Sequence, residues 1–167
     1  AQREGFNPSD VIYLLTPDRF ANGDPTNDTL PGMLEQANRS DDSGRHGGDL
    51  AGMANALPYL ADMGFTAMWP TPLTENNQSA YSYHGYAATD HYRIDPRYGS
   101  NEDYRRMVQA ARQKGLKVIQ DIVPNHLIAT MGSHGSLVLE AIPLKVEVVV
   151  RGYMAGSMSR GYSQGLR

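Results

Sequence analysis

Three short apolar runs set what this chain can become: Val11-Ile12-Tyr13-Leu14-Leu15, Phe65-Thr66-Ala67-Met68-Trp69, and Leu116 to Val123. Each has the length and composition of a buried strand. Between them lie two helical patterns. From Asp49 to Met63, the apolar residues Leu50, Met53, Ala54, Leu57, Leu60 and Ala61 recur at three- and four-residue spacing, which predicts one helix with a single buried face. Asp49 stands at its N-cap position and Gly64 at its C-cap position. Asn101 to Lys114 reads as a second helix closed by Gly115. The order strand, helix, strand, helix, strand implies two right-handed crossovers and a parallel sheet, an α/β fold. Long segments follow the strands and short ones follow the helices, so ligand chemistry is expected at the carboxyl ends of the strands.

The segment from Thr16 to Gly48 is rich in Asp, Asn, Gly and Pro, and a loop of that length in a compact domain must be tied down by something. Beyond Leu127 the rhythm breaks. Leu137 to Val150 is β-rich around Pro143, and Arg151 to Arg167 is rich in Gly, Ser and Arg. Residues 1–126 carry 11 basic and 16 acidic side chains, and residues 127–167 carry four and two, a balance that points away from nucleic acid. No run of 18 apolar residues predicts a membrane span. Cysteine is absent, which excludes disulfides and Cys-based zinc sites. Ala1-Gln2-Arg3-Glu4 lacks the apolar core of a signal peptide.

Two polar constellations follow strands. Asn22-Gly23-Asp24-Pro25-Thr26-Asn27-Asp28, with Gly47-Gly48-Asp49, is a dense supply of the hard oxygens that calcium takes. The same residues also make a turn-rich loop in which Asn and Asp cap their own backbone. The second constellation joins Tyr83-His84-Gly85-Tyr86 to Asp121-Ile122-Val123-Pro124-Asn125-His126. Both segments sit just past strands and are expected to meet at one end of the sheet. Taken singly, His84 and His126 are as readily loop and strand-end histidines.

Tyr83–Tyr86 together with the run Lys-Val-Ile-Gln-Asp-Ile-Val-Pro-Asn-His at 117–126 resembles the α-amylase family of glycoside hydrolases, in its cyclomaltodextrinase and neopullulanase branch. The resemblance extends over about residues 11–126. It implies a (β/α)8 (TIM) barrel in which the Lys117 run is the third of eight strands. The chain is thus expected to form about three β/α units, a partial barrel over residues 1–126, with a β-rich non-family tail over residues 127–167. The resemblance also implies a calcium site formed by Asn22, Asp24, Asn27, Asp28, the carbonyl of Gly47, and Asp49. It implies that His84 and His126 hydrogen-bond the sugar ring beside the scissile bond, that Tyr86 stacks on that ring, and that Asp121 and Asn125 hold the strand end together.

Retaining glycosidases need two carboxyl groups roughly 5–5.5 Å apart. The resemblance places these on the fourth and fifth strands, and no matching motif follows here; Glu140 and Glu147 lie in the non-family tail. Glycosidase activity is therefore expected to be absent from the chain. His84, His91, His126 and His134, with Asp90 and Asp121, are a nitrogen and oxygen set suited to zinc or manganese, although no HxH or HExxH spacing supports it. Such a metal would supply hydroxide near neutral pH. One expectation is a metal-assisted hydrolase of activated phosphoesters or carboxyl esters using His84, His126 and Asp121. The alternative is a non-catalytic, calcium-binding remnant that binds α-glucans weakly through Tyr83, Tyr86, Trp69 and Asn125. Either way the ligand is a small molecule. A short open sheet leaves unpaired edges, which template association, so a homo-oligomer is expected.

Overall fold

The computed structural model describes residues 5–122, 127–130 and 136–138. Ser9–Pro124 form one compact unit, and Ala1–Pro8 with Asn125–Arg167 form a second. In the first unit the chain runs through β1 (Ile12–Leu15), α1 (Pro17–Phe20), a 3-10 turn (Pro25–Asn27), α2 (Leu50–Asn55), α3 (Leu57–Asp62), β2 (Ala67–Pro70), β3 (Thr74–Glu75), a second 3-10 turn (Ser82–His84), β4 (Asp90–Ile94), α4 (Asn101–Gln113) and β5 (Lys117–Val118). The second unit contains an antiparallel pair, β6 (Leu127–Thr130) and β7 (Ser136–Val138). The rest of the segment expected to be β-rich lies outside the described residues. No described helix is long and apolar enough to cross a membrane.

The parallel sheet has the order β1-β2-β5. β2 is central, with Ile12 opposite Ala67 on one side and Ala67 opposite Lys117 on the other. The strand starts are clasped by polar groups: Thr66 Oγ1 donates to Asp10 Oδ1 at 2.8 Å and accepts from Val11 N at 2.9 Å, while Lys117 Nζ reaches both Asp10 oxygens at 2.9 and 3.0 Å. The core lies between the sheet and the helices and is centred on Leu15, Leu50, Leu60, Met68, Met107 and Leu116. Burying side chains of this size contributes roughly 1.5–3 kcal/mol each.

Four expectations are corrected. The third strand, expected as a buried run over Leu116 to Val123, narrows to Lys117–Val118, and Ile122 beyond it is 61% exposed. The helix expected over 49–63 is two helices meeting at Ala56, because Pro58 lacks an N–H and its ring opposes the carbonyl four residues back. β1 is not fully buried: Leu15 is 5% exposed, but Ile12 and Leu14 are 43% and 60% exposed. Only its helix-facing side is covered among the described residues. The long loop after β2 contains a two-stranded antiparallel hairpin, β3 with β4. The helix ends behave as the sequence predicts. Asp49 caps α2 through Gly52 N at 2.6 Å. Ser100 and Asp103 form a reciprocal capping box on α4, and Gly115 closes it at φ +76, with Leu116 N bonded to Ala111 O at 2.9 Å.

Candidate functional site

At the carboxyl ends of β2 and β5, two side chains converge on one carboxylate oxygen. Asp121 Oδ2 accepts from the Tyr86 hydroxyl at 2.8 Å and from Trp69 Nε1 at 3.2 Å. Burial first, and then the Asp121 carboxylate, push the Tyr86 phenol up to about 12, so it remains a hydrogen-bond donor at neutral pH. The Tyr86 ring stacks on His84, with centroids 5.9 Å apart and planes 26° apart, and Tyr86 is 48% exposed. His84 Nδ1 accepts from Tyr86 N at 2.9 Å. In the neutral ring the proton therefore sits on Nε2, leaving that atom as a donor. The result is a platform with an exposed aromatic face, a carboxylate and an imidazole N–H, the set of groups that recognises a sugar's apolar face and its hydroxyls.

The 3-10 turn that carries Tyr83 and His84 is entered through Tyr81 at φ +58 and left through Gly85 at φ +84. Gly85 is required by close approach, since a Cβ there would collide with the Pro72 carbonyl oxygen. Buried polar groups hold this turn. Ser82 N donates to Glu35 Oε2 at 2.7 Å, and Ser82 O accepts from Asn76 Nδ2 at 3.1 Å. Arg45 Nη1 reaches Ser82 Oγ at 3.2 Å, and Tyr98 Oη donates to Tyr83 O at 3.1 Å. Arg19 lies 4.2 Å from the Tyr83 ring centroid, a cation–π contact.

Beneath the turn, Asp95 accepts from Arg97 Nε at 2.9 Å and Nη2 at 2.7 Å. Burial alone would raise the Asp95 carboxyl, but the Arg97 hydrogen bonds and the charges of Arg45 and Arg97 hold it below the usual carboxylate range. Arg45 is 1% exposed and pairs with Asp18 at 3.7 Å. Sequence reasoning passed over this network; the only signal was an excess of charged residues in segments that also carry the predicted ligands.

A second group of polar residues surrounds the first 3-10 turn. Asp49 Oδ1 accepts from Gly23 N at 3.0 Å in addition to capping α2, and its Oδ2 accepts from Asp24 N at 2.8 Å. Asn22 Nδ2 donates to Asp28 Oδ1 at 2.7 Å. The Oδ1 atoms of Asn22 and Asn27 are buried with no hydrogen-bond donor. Gly47, at φ +85, leaves space that a Cβ would fill 2.5 Å from Asp28 Oδ1. Among the described residues no three His, Asp or Glu side chains form a metal-ligating group, so Asp24, Asp28 and Asp49 do not close into a three-carboxylate cluster. The loop offers a mixed set instead, two donor-less amide oxygens beside carboxylates, which suits a hard cation better than a transition metal.

The Alpha amylase catalytic-domain profile matches residues 13–134. The chain belongs to the α-amylase family. The β/α-amylase of Paenibacillus polymyxa is 44% identical over 69% of this chain and 9% of its own length. Neopullulanase 2 of Thermoactinomyces vulgaris is 43% identical over 70% of this chain and 19% of its own length. The crystal structure of an Anoxybacillus α-amylase superposes with a TM-score of 0.64 at 38% identity, over 74% of this chain and 25% of that one. The chain thus spans less than a fifth of the length of these two curated relatives. A SAICAR synthetase profile also matches residues 106–167, sharing 106–134 with the amylase match.

Within this α-amylase-family scaffold, Trp69, Tyr83, His84, Tyr86 and Asp121 gather at the strand ends. Asn125, His126 and His134 lie outside the described residues. His91 does not join the platform: it lines a separate 260 Å³ hollow between β4 and α4, with Thr74, Tyr92, Asn101, Tyr104 and Gln120. The second metal set built from His84, His91, His126 and His134 therefore has no converging ligands among the described residues.

Proposed function

We propose that the chain carries the sugar-ring subsite of an α-glucan-active glycoside hydrolase, and that the three parallel strands are the first three of a (β/α)8 barrel. The observation that supports this reading is the joining of Tyr86 and Trp69 at Asp121 Oδ2, at 2.8 and 3.2 Å, with His84 stacked alongside. A glucose ring resting on the exposed Tyr86 face would take hydrogen bonds from His84 Nε2 and present its hydroxyls to Asp121 Oδ1. Asn22, Asp24, Asn27, Asp28 and the Gly47 carbonyl would hold calcium as a structural ion. Asp49, with both oxygens already accepting N–H donors, serves that site by fixing its backbone. When bound there, calcium would neutralise the carboxylates and order the Thr16–Gly48 loop.

No described residue pairing favours metal-assisted hydrolysis of esters or phosphoesters. The 167-residue chain on its own is expected to bind maltooligosaccharides without cleaving starch, pullulan or cyclodextrins. Trp69 is the only tryptophan and is bonded to Asp121, so its fluorescence reports occupancy of the platform. Titration with maltoheptaose should give a saturable change that is lost in Asp121→Ala. A panel of chromogenic glycosides, esters and phosphoesters, with and without chelator, tests the chemistry. A flat fluorescence titration together with chelator-sensitive ester hydrolysis would replace this reading with the hydrolase one.

A further inference from the structure

The cation-ready loop and the sugar platform share one buried side chain. The peptide between Gly47 and Gly48 carries the carbonyl expected to face the ion, and its N–H donates to Asp18 O at 2.8 Å. The Asp18 carboxylate also accepts from His46 N at 2.8 Å and Gly47 N at 3.2 Å. Arg45 pairs with that carboxylate through Nε, and through Nη1 it reaches Ser82 Oγ at 3.2 Å and Ser82 O at 3.4 Å. Ser82 begins the turn that presents Tyr83 and His84. Arg45 Nη2 is buried with no partner, so the fork is tied at both ends but one donor short of full satisfaction. Glu35 and Arg19 belong to the same Thr16–Gly48 segment and hold the same turn, through Ser82 N at 2.7 Å and the Tyr83 ring at 4.2 Å.

We propose that Arg45 is a positioning residue that couples the two sites, so that calcium and an α-glucan bind with positive cooperativity. The inference rests on the calcium and sugar readings given above. An ion that orders the 46–48 backbone fixes Asp18, Asp18 fixes the Arg45 fork, and the fork fixes Ser82. A sugar that then binds meets a turn whose ordering cost has already been met. Linkage requires the converse: the sugar must raise calcium affinity by the same factor.

The test is a set of reciprocal titrations on the full chain, using Trp69 fluorescence and calorimetry with maltoheptaose and calcium chloride. Calcium should lower the maltoheptaose Kd at least about fivefold, and maltoheptaose should lower the calcium Kd equally. In Arg45→Lys the single ammonium cannot span Asp18 and Ser82. In Ser82→Ala the Oγ acceptor is gone with little change in volume. Both variants should keep calcium binding while the coupling factor falls towards one; a merely structural role would lower the melting temperature and leave the factor intact. If Arg45→Lys does not fold, Ser82→Ala decides. Wild-type protein that binds both ligands with a factor of one overturns the coupling alone, as does a folded variant that keeps the full factor. No maltoheptaose binding at all overturns the sugar reading, and the coupling with it.

Discussion

The Tyr86 hydroxyl donates to Asp121 Oδ2 at 2.8 Å across 35 residues of sequence, tying the loop after β2 to the end of β5. Tyr86→Phe keeps the stacking face and removes this tie. Maltoheptaose affinity should fall roughly tenfold, the order expected when one hydrogen bond to a charged group, worth about 1.5 kcal/mol, is lost from a binding site. The phenol's raised value also has a pH signature. Its folded value of about 12 lies above the ordinary one of 10, so its stabilising contribution is complete below the ordinary value and is lost as pH climbs through the folded one. Ultraviolet titration of Asp121→Asn should show one tyrosine ionising earlier than in the wild type. An unchanged titration would remove Asp121 from this account.

Calcium should raise the melting temperature of the wild type, by mass action on the folded state. Asp28→Ala should abolish that response while leaving the metal-free melting temperature within a few degrees. Asp49→Ala should instead lower the metal-free value as well, because it strips the α2 cap, which is worth about 0.5–2 kcal/mol. Equal behaviour of the two variants in differential scanning calorimetry would contradict the division of roles between them.

Acid should unfold the protein through Asp95. A carboxyl held below its ordinary value contributes stability that is complete above the unfolded value, about 4, and is lost as pH falls from there through the folded value. Asp95→Asn leaves the Arg97 guanidinium, 1% exposed, without its counter-charge. The expected cost is roughly 3–5 kcal/mol at pH 7, shrinking below pH 4. Urea unfolding at pH 7 and pH 3 measures both values, and a cost that stays constant between them would be inconsistent with the pair.

β1 pairs only with β2 among the described residues, and Ile12 and Leu14 face outward on it. Association through that surface is expected, and light scattering at micromolar concentration should report at least a dimer. Leu14→Lys should shift the population towards monomer, because a charge on an exposed strand discourages pairing. A wild-type monomer across the concentration range would mean that this surface is covered within one chain.

Periodicity made much of this scaffold legible. The spacing of Leu50, Met53, Leu57 and Leu60 placed a helical face where the core lies, and Asp49, Gly64 and Gly115 marked ends at which the backbone turns as expected. The break at Ala56 was written in Pro58, but a local clash has no period and the apolar spacing runs through it. The hairpin of Thr74–Glu75 with Asp90–Ile94 was masked because polar turn residues fill the sequence between its strands. At the site, Tyr83, His84, Tyr86 and Asp121 were readable as residue types near strand ends. Arg45 and Glu35 were not, because their roles depend on contacts with Ser82 across 37 and 47 residues, and sequence spacing carries no record of such distances.

The clasp among Asp10, Thr66 and Lys117 has a consequence for how the protein is made. Its bonds close over 56 and 107 residues, so β1 is synthesised well before β2, its partner among the described residues, which pairs with it 55 positions later. At the usual rate of synthesis that interval is roughly 3–10 seconds. Throughout it the backbone edge that β2 will pair with is open, and the clasp at the strand starts cannot close until Lys117 arrives. The nascent chain is therefore most exposed to misassociation between the synthesis of β1 and that of β2, and slowing elongation there should increase aggregation more than slowing it after β5.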